Sequence, residues 1–331
     1  MTKTSLHKQL YSLIEKGLAE LAVPDTPKSL YEPYNYSMEM GGKRIRPFLA
    51  LLGCGICGGK VSDALSSALA VEILHNFTLV HDDIMDSADT RRGKPSVFKK
   101  WDQNIAILSG DVMFADAFKQ LEFYGVNDEF TKKEYALIHQ AFTKATITVC
   151  EGQALDMDFV ERNDVDHNEY IEMIKGKTSA LLACSLKMGA ISAHASDSQI
   201  NALFNLGMEM GIAFQIQDDL LDATADPKKF GKRVCGDIYE GKKTYLTILA
   251  LERTDEQQKQ IIEVVLADEN STDGDVENVL QLMKELNVIS DITNEVNEHY
   301  ESAIDSLNSF NDSEYKHELQ NLLIFLKNRD H

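Results

Sequence analysis

Two short clusters of aspartates, Asp-Asp-x-x-Asp at 82–86 and again at 218–222, constrain this chain more than any other feature. In a helix the first and last aspartate of each cluster lie one turn apart on the same face. Carboxylates this close repel one another unless a cation sits between them. Each cluster also follows an apolar run. One such cluster would more often be an acidic helix end, but two copies favour paired metal sites on helices.

The apolar patterning predicts an all-α protein. Only 6 Pro and 19 Gly occur among 331 residues, and strand alternation with hairpin turns is absent. Apolar residues instead recur at spacings of three and four, which is typical of amphipathic helices. We expect a single all-helical domain over 1–331 with a smaller helical segment at about 275–331. The predicted helices cover 5–22, 64–86, 105–124, 132–158, 168–194, 198–222 and 243–251.

Charge and composition exclude several classes of protein. The 33 Lys and Arg against 53 Asp and Glu give a formal charge of -20, so we expect no nucleic-acid partner, because that requires clustered excess cations. The N-terminus has no apolar signal core, and the longest apolar stretch, 47–59, is too short to span a bilayer. An odd number of cysteines, five, fits a reducing compartment. We therefore expect no stable membrane insertion and a cytoplasmic location.

The metal that suits these clusters is Mg²⁺. The ligands are hard carboxylate oxygens without accompanying histidine, and Mg²⁺ binds through one or two carboxylates plus substrate phosphates. Basic residues stand nearby in sequence: Lys43, Arg44 and Arg46 follow two glycines, Arg91 and Arg92 follow the first cluster, and Lys232, Arg233, Lys242 and Lys243 follow the second. Since Arg and Lys bind diphosphate oxygens, the sequence predicts a site for two polyanions.

Helix geometry adds a few side chains to each cluster. His75 precedes Asp82 by seven residues and returns to within roughly 20° of the same face. Gly211, Gln215, Asp218 and Asp222 are spaced by four, three and four, so they form one line on the second helix.

At these residues the chain resembles the trans-isoprenyl diphosphate synthases of the polyprenyl synthetase family. The resemblance covers nearly the whole chain through six ordered motifs: GGKRIRP at 41–47, HDDIMDSADTRRGKPS at 81–96, EGQALDM at 151–157, GKTSALL at 176–182, FQIQDDLLD at 214–222 and FGKRVCGDIYEGKKT at 230–244. It implies a bundle of long antiparallel helices around a deep cavity and a homodimer. It also implies head-to-tail condensation of isopentenyl diphosphate with an allylic diphosphate (dimethylallyl, geranyl or farnesyl), assisted by three Mg²⁺ ions.

The resemblance implies a role for each matching residue. Asp82, Asp86 and Asp218 would bind Mg²⁺, with Asp83 and Asp222 as secondary ligands. Lys43, Arg46, His75 and Arg92 would hold isopentenyl diphosphate. The allylic diphosphate would contact Arg91, Lys177, Lys232 and Lys242, with Thr178 and Gln215 beside the developing positive charge; Lys177, Thr178 and Gln215 are the expected catalytic residues.

The resemblance also implies that Phe77, five residues before Asp82, limits the length of the product. At 1.5 Å per residue it lies roughly 7 to 8 Å further down the helix, although helix geometry alone places it off the Asp82 face. With a large aromatic residue at this position, the chain resembles the short-chain members of the family that make geranylgeranyl diphosphate. Farnesyl diphosphate is the alternative product.

Three other functions fit parts of the pattern. A terpene cyclase or a head-to-head condensing enzyme shares the helical fold and one acidic cluster, but cyclases usually carry another pattern in place of the second Asp-Asp-x-x-Asp and have no need for a second diphosphate site. A di-iron protein would use Glu-x-x-His pairs such as Glu72/His75 and Glu314/His317, but further bridging Glu are not evident. A non-catalytic regulatory subunit would be expected to lose the aspartate clusters, and this chain keeps both.

Overall fold

The structure, a computed structural model, describes residues 4–224, 234–268 and 270–329. Helices make up nearly all of the regular structure there, which confirms the all-α prediction. None of the helices in these ranges is long and apolar enough to cross a membrane.

The helices of the N-terminal part carry the first aspartate cluster. In chain order they are α1 Ser5–Ala19, α2 Lys28–Glu39, α3 Ile45–Ile56, a 3₁₀ turn Val61–Ala64, α4 Leu65–Met85, α5 Val97–Lys100, α6 Gln103–Gln120 and α7 Glu122–Val126. Two-residue strands, β1 Thr90–Arg91 and β2 Lys94–Pro95, pair antiparallel between α4 and α5.

The remaining helices carry the second cluster. They are α8 Lys132–Glu161, α9 His167–Ile174, a π-helical turn Lys175–Ser179, α10 Ala180–Ser192, α11 Asp197–Thr224, α12 Gly236–Tyr239, α13 Tyr245–Arg253, α14 Glu256–Ala267, α15 Asp273–Glu285, α16 Val288–Ser306, a 3₁₀ turn Leu307–Ser309 and α17 Glu314–Lys327.

The chain divides into two compact units. The first unit comprises the described parts of Met1–Thr146, Cys184–Phe204 and Ser309–Leu319; the second comprises those of Ile147–Ala183, Asn205–Asn308 and Gln320–His331. Because α8, α10, α11 and α17 extend across these boundaries, each contributes residues to both units.

The core of the first unit is built on α3, α4, α6 and the later part of α10. Tyr124 is fully buried there, and its hydroxyl lies 2.7 Å from Ser67 Oγ while it donates to the Asp63 carbonyl at 2.8 Å. Since a buried phenol must be hydrogen-bonded, this contact fixes the start of α4. At Gly189 a Cβ would collide with the Ala50 carbonyl, so the glycine permits α10 to approach α3 closely.

The second unit packs around the α11 segment that ends in Asp218–Asp222. Tyr300 on α16 is fully buried and donates to Gln217 Oε1 at 3.0 Å, and Gln217 Nε2 donates to the carbonyl of Lys327 on α17 at 3.1 Å. These buried hydrogen bonds attach α16 and α17 to the helix that bears the second cluster.

Candidate diphosphate and metal site

The first aspartate cluster lies at the C-terminal end of α4. Asp82 and Asp83 occupy the last turn, and Asp86 is the residue that caps the helix. Asp83 is buried, and Oδ1 of its carboxylate accepts two hydrogen bonds from the Arg91 guanidinium, at 2.8 and 2.6 Å. Asp86 is exposed, whereas Asp82 is half-buried. The cluster therefore has one carboxylate paired with Arg91 and an outer carboxylate, that of Asp86, that is open to solvent.

Arg91 and Arg92 are presented by a β-hairpin that the sequence patterning did not predict. Thr90 pairs with Pro95 and Arg91 with Lys94, so Arg92 and Gly93 form the two-residue turn. Both have positive φ angles, 54° and 74°, which is the geometry of a type I′ turn. The turn places adjacent arginines in different surroundings: Arg91 bonds to Asp83, while the guanidinium of Arg92 packs on Gly42, where an added Cβ would come within 2.8 Å of Arg92 Nη1.

Lys43, Arg46, His75 and Arg92, the residues predicted to hold isopentenyl diphosphate, all belong to the first unit. Arg46 Nη1 lies 3.2 Å from His75 Nε2, and Arg92 contacts the loop that carries Lys43. Lys43 itself is exposed.

The electrostatics around His75 favour an anion. Burial lowers the pKa of His75 well below its ordinary value, and four guanidinium groups lower it further: those of Arg46, Arg92, Arg44 and Arg91. The imidazole is therefore neutral at pH 7. Burial and then the proximity of Arg92 lower the pKa of Arg46 to about 10, against the opposing effect of Glu72, and the Nε atom of Arg46 is buried without a hydrogen-bond partner. Guanidinium groups that repel one another beside an unpaired donor form a site that an anion would stabilise.

Phe77 lies within a row of aromatic rings in the first unit. Its ring packs edge-on against His81 on α4, with centroids 4.7 Å apart, and against Phe114 on α6 at 5.4 Å. Phe118 continues the row at 5.1 Å from Phe114, and Phe142 follows at 4.9 Å. Phe77 thus contacts aromatic partners one turn away from the aspartates and does not share their face.

Lys177 and Thr178 lie in the π-helical turn between α9 and α10. A π turn inserts an extra residue into a helix and is often found at functional sites. Here it accompanies a close backbone contact with α8: a Cβ on Gly152 would collide with the Lys177 amide nitrogen, and one on Gly176 would lie 2.9 Å from the Thr148 carbonyl. Lys177 Nζ donates to Asp156 Oδ2 at 2.5 Å, so α8 also orients the lysine.

A hydrogen-bonded chain joins this turn to the second aspartate cluster. Thr178 Oγ1 donates to Gln215 Oε1 at 2.9 Å, and Gln215 Nε2 donates to Asp219 Oδ1 at 3.3 Å. Asp219 also accepts the Tyr170 hydroxyl at 2.7 Å and the Tyr245 amide at 3.1 Å. Burial raises the pKa of Asp219 to about 7 despite these donors. The middle aspartate of this cluster therefore organises the surrounding side chains.

The outer aspartates of the second cluster also have partners in the protein. Asp218 forms an ion pair with Arg329, whose guanidinium further donates to the Phe214 carbonyl at 3.0 Å. Asp222 Oδ2 accepts the Asp237 amide at 3.1 Å, and burial raises the pKa of Asp222. A metal ion that binds Asp218 must compete with the positive charge of Arg329.

Of the basic residues after the second cluster, Lys242 and Lys243 are described, whereas Lys232 and Arg233 lie outside the described residues. Lys242 Nζ forms ion pairs with Asp237 at 3.4 Å and Glu240 at 2.6 Å. Lys243 instead donates to backbone carbonyls at the end of α8, including Phe159 at 2.9 Å. Only the first of the two lysines thus lies among the acidic groups that adjoin Asp222.

The donor set fits Mg²⁺ if substrate completes its coordination. In the described part of the chain no three His, Cys, Asp or Glu side chains converge to hold a metal ion by themselves. Mg²⁺ normally keeps several waters and binds one or two carboxylates plus phosphate oxygens, so a protein cage is not required. The di-iron alternative fits poorly, because Glu72 binds Arg44 at 2.5 Å and His75 contacts Arg46.

Several functional contacts escaped the sequence reasoning. Asp156, Asp219 and Arg329 orient or neutralise predicted site residues, and Arg44, counted among the cations, is buried. The motif at 151–157 contains Asp156 and the second cluster contains Asp219, so both carried a signal. Arg329 stands 111 residues from Asp218, and no local pattern links them.

The model of the polyprenyl synthetase family matches residues 27–283. Geranylgeranyl diphosphate synthase of Sulfolobus acidocaldarius is 40% identical over 286 residues, covering 86% of this chain and 85% of the relative. Short chain isoprenyl diphosphate synthase of Methanothermobacter thermautotrophicus is 45% identical over 235 residues, covering 71% of each chain. The crystal structure of geranylgeranyl pyrophosphate synthetase from Pyrococcus horikoshii Ot3 matches with a TM-score of 0.91 at 37% identity, over 97% of both chains.

Proposed function

This chain belongs to the polyprenyl synthetase family, and from that premise we propose that it condenses isopentenyl diphosphate head-to-tail with an allylic diphosphate to give all-trans geranylgeranyl diphosphate. The named relatives support this product, since two of those described above are geranylgeranyl diphosphate synthases by name. The row of rings around Phe77 supports a limited chain length, because a bulky aromatic cluster leaves little space for a longer chain. Farnesyl diphosphate remains the alternative product.

The observation that carries the proposal is the set of guanidinium groups around the neutral His75. Of this set we assign Arg46 and Arg92, together with Lys43 and His75, to the diphosphate of isopentenyl diphosphate. The buried, unpaired Nε of Arg46 would donate a hydrogen bond to a phosphate oxygen, and the charge of the anion would relieve the repulsion among the arginines.

The allylic substrate needs cations for its leaving diphosphate and a polar surface for the developing cation. In the first unit we assign Arg91 to the diphosphate and Asp82 and Asp86 to Mg²⁺, with Asp83 as a secondary ligand. In the second unit we assign Lys177, Lys232 and Lys242 to the diphosphate and Asp218 to Mg²⁺, with Asp222 secondary. Thr178 and Gln215, hydrogen-bonded at 2.9 Å, would direct oxygen dipoles toward the allylic cation.

The chemistry is ionisation followed by addition. When bound, Mg²⁺ would supply Lewis-acid stabilisation of the charge on the leaving diphosphate. Arg91 and Lys177 would add fixed positive charge there, so the allylic C–O bond can break. The isopentenyl double bond, held by its own diphosphate, then attacks the allylic cation, and a proton is lost to the departing diphosphate. Correct positioning matters because a misplaced nucleophile would leave the cation to water.

The test is to incubate the purified protein with isopentenyl diphosphate, Mg²⁺ and each allylic primer in turn, and to size the dephosphorylated products. The proposal predicts an all-trans C20 alcohol with every primer. A C15 end product would select the farnesyl alternative, and a cyclic hydrocarbon formed without use of isopentenyl diphosphate would identify a terpene cyclase. The homodimer, the cytoplasmic location and the number of Mg²⁺ ions stay predictions.

A further inference from the structure

Arg44 differs from the two cations beside it in sequence. It is only 6% exposed, whereas Lys43 is exposed. Its guanidinium donates from Nη1 to Glu72 Oε1 at 2.5 Å, from Nε to Glu15 Oε1 at 3.0 Å and from Nη2 to the Met38 carbonyl at 3.1 Å. One side chain therefore connects α1, α2 and α4 to the loop that precedes α3.

The contacts of Arg44 are strong and well supported. Burial alone would lower the pKa of Arg44, but Glu72 and Glu15 raise it above its ordinary value, so the group stays charged. Glu72 is 3% exposed and also accepts a hydrogen bond from Asn76 at 3.2 Å. Charge-assisted hydrogen bonds in a buried network are stronger than neutral ones and hold their groups in one geometry.

The loop at 41–46 and helix α4, which Arg44 joins, meet a second time at the proposed isopentenyl diphosphate site. Arg44 and Arg46 are two residues apart at the start of α3, and Glu72 and His75 are three apart on one face of α4. The Arg46–His75 contact joins a cation to a neutral imidazole, and Arg92 repels Arg46. The Arg46–His75 contact alone would hold the loop only weakly. The Arg44–Glu72 ion pair supplies an attraction that offsets the repulsion between Arg92 and Arg46.

Arg44 also has a left-handed backbone conformation, with φ of 48° and ψ of 36°. This conformation is uncommon for a residue other than glycine, and it follows two glycines that also have positive φ, Gly41 at 76° and Gly42 at 148°. Glycine adopts positive φ without steric cost, so the strain of this path falls on Arg44. The hydrogen bonds of the Arg44 side chain are what stabilise it.

We propose that Arg44 is a positioning residue: without contacting substrate, it fixes the loop at 41–46 against α4 so that Lys43 and Arg46 meet the diphosphate of isopentenyl diphosphate beside His75. The inference rests on the proposed function of that site. It predicts an effect confined to one of the two substrates, which a general loss of stability would not produce.

The experiment compares Arg44→Gln and Arg44→Lys with the wild-type protein in steady-state assays, together with thermal unfolding followed by circular dichroism. Arg44→Gln is expected to raise the KM for isopentenyl diphosphate about tenfold and to change the KM for the allylic diphosphate less than about twofold. The KM of Arg44→Lys for isopentenyl diphosphate is expected to lie between those of the wild-type protein and Arg44→Gln, because lysine keeps the charge but lacks the planar fork of donors.

Arg253→Gln is the matched control. Arg253, in the second unit, also donates to a carboxylate, Asp291 at 2.8 Å, and to a backbone carbonyl, Leu286 at 3.1 Å, and neither partner is assigned to substrate. Neither KM should change in this variant.

Equal rises in both KM values, or no rise in folded Arg44→Gln, would overturn the positioning role. If Arg44→Gln does not fold, a wild-type KM for isopentenyl diphosphate in Arg44→Lys would do so. Failure of the proposed function looks different, because the wild-type protein would then incorporate no isopentenyl diphosphate. Calorimetric titration with inorganic diphosphate would still compare the proteins, and equal affinities would refute the role of Arg44.

Discussion

The two Asp-Asp-x-x-Asp clusters share a pattern but are engaged by the protein to different degrees. In both, the middle aspartate is buried and hydrogen-bonded: Asp83 by Arg91, and Asp219 by Tyr170, Gln215 and the Tyr245 amide. The first of these partners is a cation, while the others are uncharged. Burial raises the pKa of Asp219 to about 7. Burial also raises the pKa of Asp83, although the guanidinium of Arg91 opposes this shift.

The outer aspartates differ more. Asp86 is exposed at the end of α4, whereas Asp218 is paired with Arg329 and Asp222 accepts the Asp237 amide. The first cluster thus offers an outer carboxylate directly to solvent, while metal binding at the second must compete with groups of the protein. A shared motif predicts that both clusters bind metal, but only the surroundings predict how easily.

Replacing the outer aspartates gives the largest expected effect. Asp82→Ala and Asp218→Ala should each lower turnover by at least about 10²–10³-fold, because each removes a proposed ligand of the ions that stabilise the leaving diphosphate. Steady-state rates at saturating Mg²⁺ measure this, and circular dichroism should show that both variants fold. Near-normal rates in either variant would refute its assignment as a metal ligand.

Glycine substitutions test the scaffolds that carry the two regions. Gly152→Ala places a Cβ against the backbone nitrogen of Lys177, which no side-chain rotation can relieve, and overpacking of this kind costs about 1–3 kcal/mol. Turnover should fall as well, since Lys177 and Thr178 would shift. The free energy of unfolding from urea titration is the measurement.

Gly110→Ala is the matched substitution in the first unit. Its Cβ would meet the imidazole of His81, which can rotate away, and alanine in a helix interior is favoured over glycine by about 1 kcal/mol. The variant should therefore be close to wild type in stability. If it lost as much stability as Gly152→Ala, the backbone contact at the π turn would not be the special feature of the second region.

The middle aspartates should differ in their contribution to stability. Asp219→Asn presents an amide to at least one of its three donors and leaves that donor unsatisfied in the core, which costs about 1–3 kcal/mol. Asp83→Asn should cost less, because the side chain of Arg91 is 31% exposed and can be solvated. Thermal unfolding of both variants measures the difference. A larger loss for Asp83→Asn would show that the cation, and not the uncharged network, is the stronger support.

Phe77→Ala should have the smallest effect on turnover and should change the product. Removing the ring from its contacts with His81 and Phe114 opens space, so the product should lengthen by at least one isoprene unit. Chromatography of the dephosphorylated products measures the length. An unchanged C20 product would show that Phe77 does not limit the chain.

The helices could be predicted from the sequence because their apolar spacing is a local signal. The predicted helices at 64–86, 132–158 and 198–222 correspond to α4 Leu65–Met85, α8 Lys132–Glu161 and α11 Asp197–Thr224. The apolar spacing also predicts a helix at 168–194, but it does not predict the π turn at Lys175–Ser179. That turn accompanies the approach of Gly152 to Lys177, and a contact between distant segments leaves no periodic trace in the sequence.

The candidate site likewise divides into features that local spacing predicts and features that depend on contacts between distant segments. A position for His75 beside the first cluster could be predicted by helical spacing alone, and metal-binding roles for Asp82 and Asp218 by their pattern. The burial of Arg44 could not, since its partners Glu15 and Glu72 lie 29 and 28 residues away. The hairpin that separates the surroundings of Arg91 and Arg92 was missed because strands of two residues are too short to show alternation.

The most direct test of the account counts diphosphate release against isopentenyl incorporation in one reaction, with Mg²⁺ and after its removal by a chelator. Both clusters are proposed to serve transfer of a prenyl group between two diphosphate substrates. The account predicts one diphosphate released for each isopentenyl unit incorporated, with both lost when Mg²⁺ is removed and restored when it is added back. Diphosphate release without incorporation, or incorporation that persists without a divalent metal ion, would contradict it.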